Sequence, residues 1–245
     1  MTTRRILATS GGYVGGPVAN SVRLGAMVLD ALALTGEVRP NVCVMETASG
    51  DHDLVYAWAN EAFGDAGCDV TELRLFPQPT VDLEQKLLGS DLVWVGGGSV
   101  ANLLVLWRLH GVDDVMRAAW ESGVILAGVS AGSVCWHDGG TTDSFGPILR
   151  PVTDGLGLLP YANGVHFDSE AQRRPLLYEL MRDTVLGPLA YATDDTIGIW
   201  YEGTEATTVV SDSDVDPVNG RAAYRIELAY GEVTETRFGV GSSFS

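Results

Sequence analysis

The 245-residue chain is 46% hydrophobic, enough to bury a sizeable core in one large domain, and it has no apolar run near the ~18 residues that a membrane helix needs. A formal net charge of −17, with Lys86 the only lysine, sets a negative field that repels nucleic-acid phosphates and anionic lipid; no nucleic acid and no membrane is expected as a partner. Cys43, Cys68 and Cys135 are odd in number and widely spaced, which fits neither a disulfide framework nor a zinc pattern.

In chain order, Met1 to Arg5 is followed by only Ile6-Leu7-Ala8 before polar residues and glycine, too short for a signal-peptide core, so the chain reads as cytoplasmic. The first two-thirds alternate short apolar runs with amphipathic stretches, the pattern of an α/β fold with a mostly parallel sheet flanked by helices. Strands are predicted over 4–10, 41–47, 69–75, 91–98 and 123–130, with helices over about 17–35 and 53–67 and a helical pair across 100–122. After Trp136 the texture changes. "HDGGTTDSFGP" reads as a loop, "PYANGVHFD" as a turn and short strand, and 169–186 as a helix. The remaining segments read as an antiparallel C-terminal extension of closely spaced strands, with a turn at "DPVNG". No repeat, low-complexity segment or linker divides the chain, so 1–245 is expected to form a single α/β domain.

The segment "VILAGVSAGSVCW" carries the chemistry. Gly128-Val129-Ser130-Ala131-Gly132 is Gly-x-Ser-x-Gly between an apolar β-run and a helix, the pattern of a nucleophile elbow. Such a turn lifts the serine hydroxyl above the sheet at a helix N-terminus and aims the Ala131 amide at a developing negative oxygen. A second glycine turn, Gly96-Gly97-Gly98, ends the strand before it. Gly97 and Gly98 are positioned to bring further N–H groups to the same place, because ligands of α/β sheets bind at the carboxyl ends of the strands. That turn lacks the Lys-Ser/Thr of a Walker loop, and it is not a full GxGxxG.

A serine needs a base. Of four histidines, His137 lies seven residues past Ser130, about two helical turns away if that helix continues, and His110 ends a helix. His52 opens a helix and stays open as an alternative. His166, after the turn in "NGVHFDSE", is the best placed. For the orienting acid, Asp143 lies between serine and histidine, while Asp168 would share a strand face with His166. Asp138 and Asp154 are weaker candidates.

Together, the Gly96–Gly98 turn followed by "SVANLL", the later "GVSAGSVCW", a "TTD" loop and "HFDSE" resemble the dipeptidase E and cyanophycinase family of serine peptidases, over residues 4 to about 200. That family shares its core with the class I glutamine amidotransferases, a flavodoxin-like arrangement. The resemblance implies Ser130 as nucleophile, His166 as base, an acid matching Asp143, and an oxyanion hole from Gly98 and Ala131. It also implies cleavage next to aspartyl residues or small-aminopeptidase activity, without metal or cofactor. Two departures stand out. Asp143 lies about two positions nearer the serine than in the aspartyl dipeptidase. Where that enzyme carries an arginine for the substrate carboxylate, this chain offers Glu170, then Arg173 and Arg174.

Three other readings compete. An α/β-hydrolase esterase shares the elbow but places its histidine near the C-terminus, and no histidine follows His166 here. A glutaminase uses cysteine at the elbow. A catalytically silent binding module would keep the fold without the chemistry. The reading adopted is a peptidase acting on short peptides, as a dipeptidase or aminopeptidase. Glu170 or Asp168 would receive the peptide's α-amino group, and acidic substrates would gain no preference. The expected partners are the peptide substrate and a second copy of the chain in a homodimer.

Overall fold

The computed structural model describes residues 3–18, 21–77, 79, 82–212 and 220–244. The first strand, β1 (Arg5–Thr9), is followed by a short hairpin, β2 (Tyr13–Gly15) and β3 (Val22–Leu24), then α1 (Ala26–Leu34) and β4 (Asn41–Met45). A single 3-10 turn at Thr47–Ser49 leads into α2 (Asp53–Asp65), β5 (Asp69–Glu72), α3 (Leu83–Leu88) and β6 (Leu92–Val95). Next come α4 (Val100–His110), α5 (Val112–Ser122), β7 (Ile125–Val129), α6 (Ala131–Val134), β8 (His137–Thr142) and β9 (Arg150–Val152). The chain then forms β10 (Leu159–Gly164), α7 (Arg173–Arg182), β11 (Leu189–Thr193), β12 (Ile197–Glu202), β13 (Glu205–Ser211), β14 (Ala223–Ala229) and β15 (Glu232–Phe238).

A seven-stranded sheet runs β13-β12-β1-β7-β6-β4-β5, its strands from β1 to β5 parallel. Both faces are covered, so the central strands β1, β4, β6 and β7 are largely apolar, and their twofold alternation sorts side chains between two cores. Ile6, Cys43, Met45, Val93, Val95 and Leu126 face α4 and α5, whereas Leu7, Val42, Val44, Trp94 and Ala127 face α1 and α2. On α5 the buried Val112, Met116, Ala119 and Trp120 fall at helical spacing. The first core continues through Trp136, Leu159 and Tyr191 into a six-stranded sheet, β15-β14-β11-β10-β8-β9, whose other face packs on α7 through Leu177, Leu180 and Met181.

The mixed α/β class is as expected; several elements are not. The stretch read as a helix over about 17–35 begins as the β2–β3 hairpin, and helix starts only at Ala26, behind a Gly25 in extended conformation. Asp212 supplies the missing cap, accepting from the amides of Met27 (3.1 Å) and Gly12 (2.5 Å). "HDGGTT" is strand β8 rather than loop. Its glycines allow close strand approach, since a Cβ on Gly140 would lie 2.3 Å from the Asn163 carbonyl oxygen. The helix predicted over 169–186 is confined to α7. The C-terminal strands divide between the two sheets: β12 and β13 extend the first antiparallel to β1, while β11 lies parallel to β10 in the second. The turn expected at "DPVNG" falls largely outside the described residues.

Candidate active site at the carboxyl ends of the strands

Ser130 stands between β7 and α6 at φ 56°, ψ −111°, a backbone conformation that a non-glycine residue holds only under constraint. Its amide donates to the Thr9 carbonyl at 3.0 Å, and its carbonyl accepts from Ser133 and Val134 at 2.9 Å each. Both flanking glycines are sterically required. A Cβ on Gly128 would lie 2.4 Å from the Gly132 carbonyl oxygen, and one on Gly132 would lie 2.2 Å from that of Val95. The glycine turn after β6 closes in from the side, with a Cβ on Gly97 placed 3.3 Å from Ser130 Cβ. Gly98 takes φ 134°, where a Cβ would lie 2.3 Å from the Ala48 carbonyl oxygen. The first amides of a helix lack intrahelical acceptors, and Ala131 opens α6.

The histidine is held from the same strand end. His166 follows β10 at φ 53°, and its amide donates to Ser10 Oγ at 3.0 Å. Consecutive residues at the end of β1 therefore anchor both groups: Thr9, its last residue, holds Ser130, and Ser10, just past it, holds His166. The imidazole Nδ1 lies 2.6 Å from Asp195 Oδ1. Asp195 sits just past β11, its amide donating to Asp168 Oδ1 at 2.8 Å, while Arg221 Nε donates to Asp168 Oδ2 at 2.9 Å. Burial raises the pKa of Asp195, but hydrogen bonds from His166 and Ser169 and the nearby His166 and Arg221 charges outweigh it, holding the carboxyl below the ordinary range.

The carboxylate in contact with His166 is neither of the two acids expected from sequence. Asp143, beyond the end of β8, is exposed and lines a separate cavity of about 310 Å³ with Glu170 and Gln172. Asp168 faces Arg221 and the Asp195 backbone, because the left-handed turn at His166 breaks the strand alternation that would have put both side chains on one face. Asp195 went unnoticed; its signal was the Asp194-Asp195 pair directly after the apolar run of β11. Asp194 is spoken for, accepting from the Ala222 amide and the Tyr224 hydroxyl at 2.9 Å each.

The remaining candidates are placed as follows. Glu170 is ion-paired with Arg173 at 2.8 Å, and Arg173, 2% exposed, also donates to the Thr141 carbonyl at 2.5 Å. Arg174 pairs with Glu235 and stacks over Phe167 and Tyr224. Glu170 and Asp168 are thus both engaged by arginines instead of standing unpaired for an amine. His137 is fully buried at the start of β8, with Nδ1 2.9 Å from the Ser133 carbonyl oxygen. Burial pushes its pKa down to about 4 against that bond. The helix expected to carry it past Ser130 ends at Val134. His52 caps α2 through Nδ1, and His110 lies in the last turn of α4. Asp154 pairs with Arg108.

One further group was missed. Glu46, after β4, is 1% exposed, and neither carboxyl oxygen has a hydrogen-bond partner. Burial and the nearby Asp51 carboxylate push its pKa up to about 8. It lines a cavity of about 320 Å³ that reaches Gly97 and Val129, the neighbours of Ser130. Among the described residues, no group of three His, Cys, Asp or Glu side chains is arranged to hold a metal ion.

The chain matches the family model of peptidase family S51 over residues 6–209. It is 36% identical over 197 residues to the uncharacterized peptidase YgaJ of Bacillus subtilis (strain 168), covering 80% of this chain and 82% of that protein. It is 26% identical over 168 residues to peptidase E of Shewanella denitrificans, covering 63% of this chain and 67% of that protein. Among solved structures, a putative peptidase E protein from Listeria monocytogenes EGD-e matches with a TM-score of 0.61 at 16% identity, covering 86% of this chain and 99% of that one. A peptidase from an acI-B1 Actinobacterium matches with a TM-score of 0.69 at 16% identity, covering 99% of this chain and 97% of that one. These two likenesses concern the fold.

Proposed function

The chain belongs to peptidase family S51 and is a serine-type hydrolase, and from that premise we infer that it cleaves short peptides through Ser130, His166 and Asp195. The observation that carries this reading is the 2.6 Å bond between His166 Nδ1 and Asp195 Oδ1, set on the strand end that also holds the strained Ser130. With Nδ1–H donated to Asp195, Nε2 is left as the basic nitrogen. In the proposed reaction the imidazole takes the Ser130 proton as Oγ attacks the carbonyl carbon. The negative oxygen of the tetrahedral intermediate is stabilised by the Ala131 amide and by Gly98 or Gly97. The imidazolium then protonates the leaving amine, and water, deprotonated by the same nitrogen, hydrolyses the acyl-serine. None of these steps calls for a metal or cofactor.

A dipeptidase or aminopeptidase acting on short peptides is the favoured type. The ion pairs made by Arg173 and Arg174 argue against either arginine serving a substrate carboxylate. Kinetics and covalent labelling test the reading together. Ser130→Ala and His166→Ala should each lower kcat by about 10⁴-fold, and Asp195→Asn by ~10³- to 10⁴-fold, whereas Asp143→Asn should stay within about threefold of wild type. A fluorophosphonate should label wild type and not Ser130→Ala. If Asp143→Asn proved the more damaging acid variant, the role of Asp195 would be lost. An unlabelled, inactive wild type would favour a binding module on this fold.

A further inference from the structure

The cavity beside the elbow is walled by Tyr13, Val22, Val55, Trp58 and Val129; among the described residues Glu46 is its one acidic side chain, and none of its lining is basic. Its volume, about 320 Å³, is that of a small-ligand site. Trp58 is 38% exposed, an aromatic left partly in solvent at this cavity. The Glu46 carboxyl is sealed from bulk water and unpartnered, an arrangement costly enough to call for a missing complement. Gly96 is shaped around it, since a Cβ there would lie 1.9 Å from Glu46 Oε2. Asp51 cannot supply the complement. It is a second acid, already accepting from Leu75 N (2.5 Å), Phe76 N (2.8 Å) and the Tyr56 hydroxyl (3.1 Å).

Position along the sheet sets the scale. Met45 of β4 pairs with Val95 of β6, and Val95 with Gly128 of β7, so Glu46 leaves the sheet level with Val129, one residue before Ser130, on strands two apart. That offset is about 10 Å, with the glutamate side chain turned back toward Gly96 between them. An α-amino group two bonds from the reacting carbonyl carbon is too short to bridge it; a long side chain is not. We propose that this cavity is a subsite for a basic side chain, lysyl or arginyl, on a substrate residue adjacent to the scissile bond. The methylene stem would lie along the valines and the Trp58 ring, and the ammonium or guanidinium would pair with Glu46. An aspartyl side chain would meet a second acid there and no positive partner. The proposal rests on the peptidase reading for its substrate class, while the binding itself does not need the chemistry.

Calorimetric binding to the Ser130→Ala protein separates the two. Lys-Ala and Ala-Lys are each compared with their norleucine counterparts, which keep the stem and lack the charge. At least one lysyl peptide should bind about tenfold or more tightly than its norleucine partner, a gap of about 1.4 kcal/mol, and Asp-Ala should bind no better than norleucyl-alanine. Adding Glu46→Gln should shrink the lysine preference to under about threefold. Adding Val55→Lys, which places a competing ammonium in the cavity from a half-buried position on α2, should do the same and serves if the glutamine variant fails to fold. Equal binding of lysyl and norleucyl peptides, or a lysine preference that survives both substitutions, overturns the subsite. If wild type hydrolyses none of the peptides while the Glu46-dependent preference persists, the subsite stands and the peptidase chemistry at Ser130 falls.

Discussion

Glu46 shows how one residue can set stability against function. Its carboxyl titrates near 8 in the fold against an ordinary 4.5, because burial and Asp51 disfavour the charged form. A raised carboxyl pKa means that the folded state binds more protons than the unfolded state between those values. The neutral group's contribution is complete below about pH 4.5 and is lost as pH rises toward 8, at up to about 1.4 kcal/mol per pH unit. Glu46→Gln removes that loss. Thermal unfolding from pH 5 to 8 should therefore show the variant gaining steadily on wild type, and a constant difference in Tm would contradict the shift. His137 has the opposite sign: held near pKa 4 by burial, it favours the fold above about pH 6.5 and costs stability as pH falls through 4.

Among the elements, the elbow is the least tolerant. β7, the four-residue α6 and the strand end of β6 meet with no room for a Cβ at Gly132, which would strike the backbone oxygen of Val95 at 2.2 Å. Gly132→Ala should cost about 2–3 kcal/mol by overpacking, read as a lower urea midpoint. Gly64, near the end of α2, supplies the contrast: nothing lies within 4 Å of its added Cβ, and its φ is ordinary. Gly64→Ala should be neutral or stabilising by up to ~1 kcal/mol through helix propensity. Similar losses in both variants would show that the elbow backbone yields more readily than its close contacts imply. The same logic separates what could be read in advance from what could not. The apolar runs of β1, β4, β6 and β7 have a period that sheet burial alone explains. The β2–β3 hairpin and the glycine-bearing β8 owe their conformation to partners distant in sequence.

For the whole molecule, 32 acidic residues against 15 lysines and arginines leave a net charge of −17. Self-repulsion on that scale opposes compaction, and salt screens it over a Debye length of ~10 Å at 0.1 M and shorter above. Raising sodium chloride from about 0.05 to 0.5 M should increase Tm by a few degrees; a fall would mean that ion pairs such as Arg39–Asp69 and Arg74–Asp53 outweigh the net field.

The sequence by itself determined the parallel α/β class and the tight glycine-flanked turn at Ser130 between β7 and α6. Each depends on local pattern: strand period and turn glycines. Tertiary structure alone decided the carboxylate beside His166. Asp195 follows it by 29 positions, and only the pairing of β10 with β11 and the left-handed turn at His166 bring them together, leaving Asp168 for Arg221. It alone also decided that, among the described residues, the buried carboxyl of Glu46 is left with no partner on either oxygen. Glu170 and Asp168 find arginines across turns and loops, and Glu46 finds none, because pairing depends on what the folded chain places within reach of each charge.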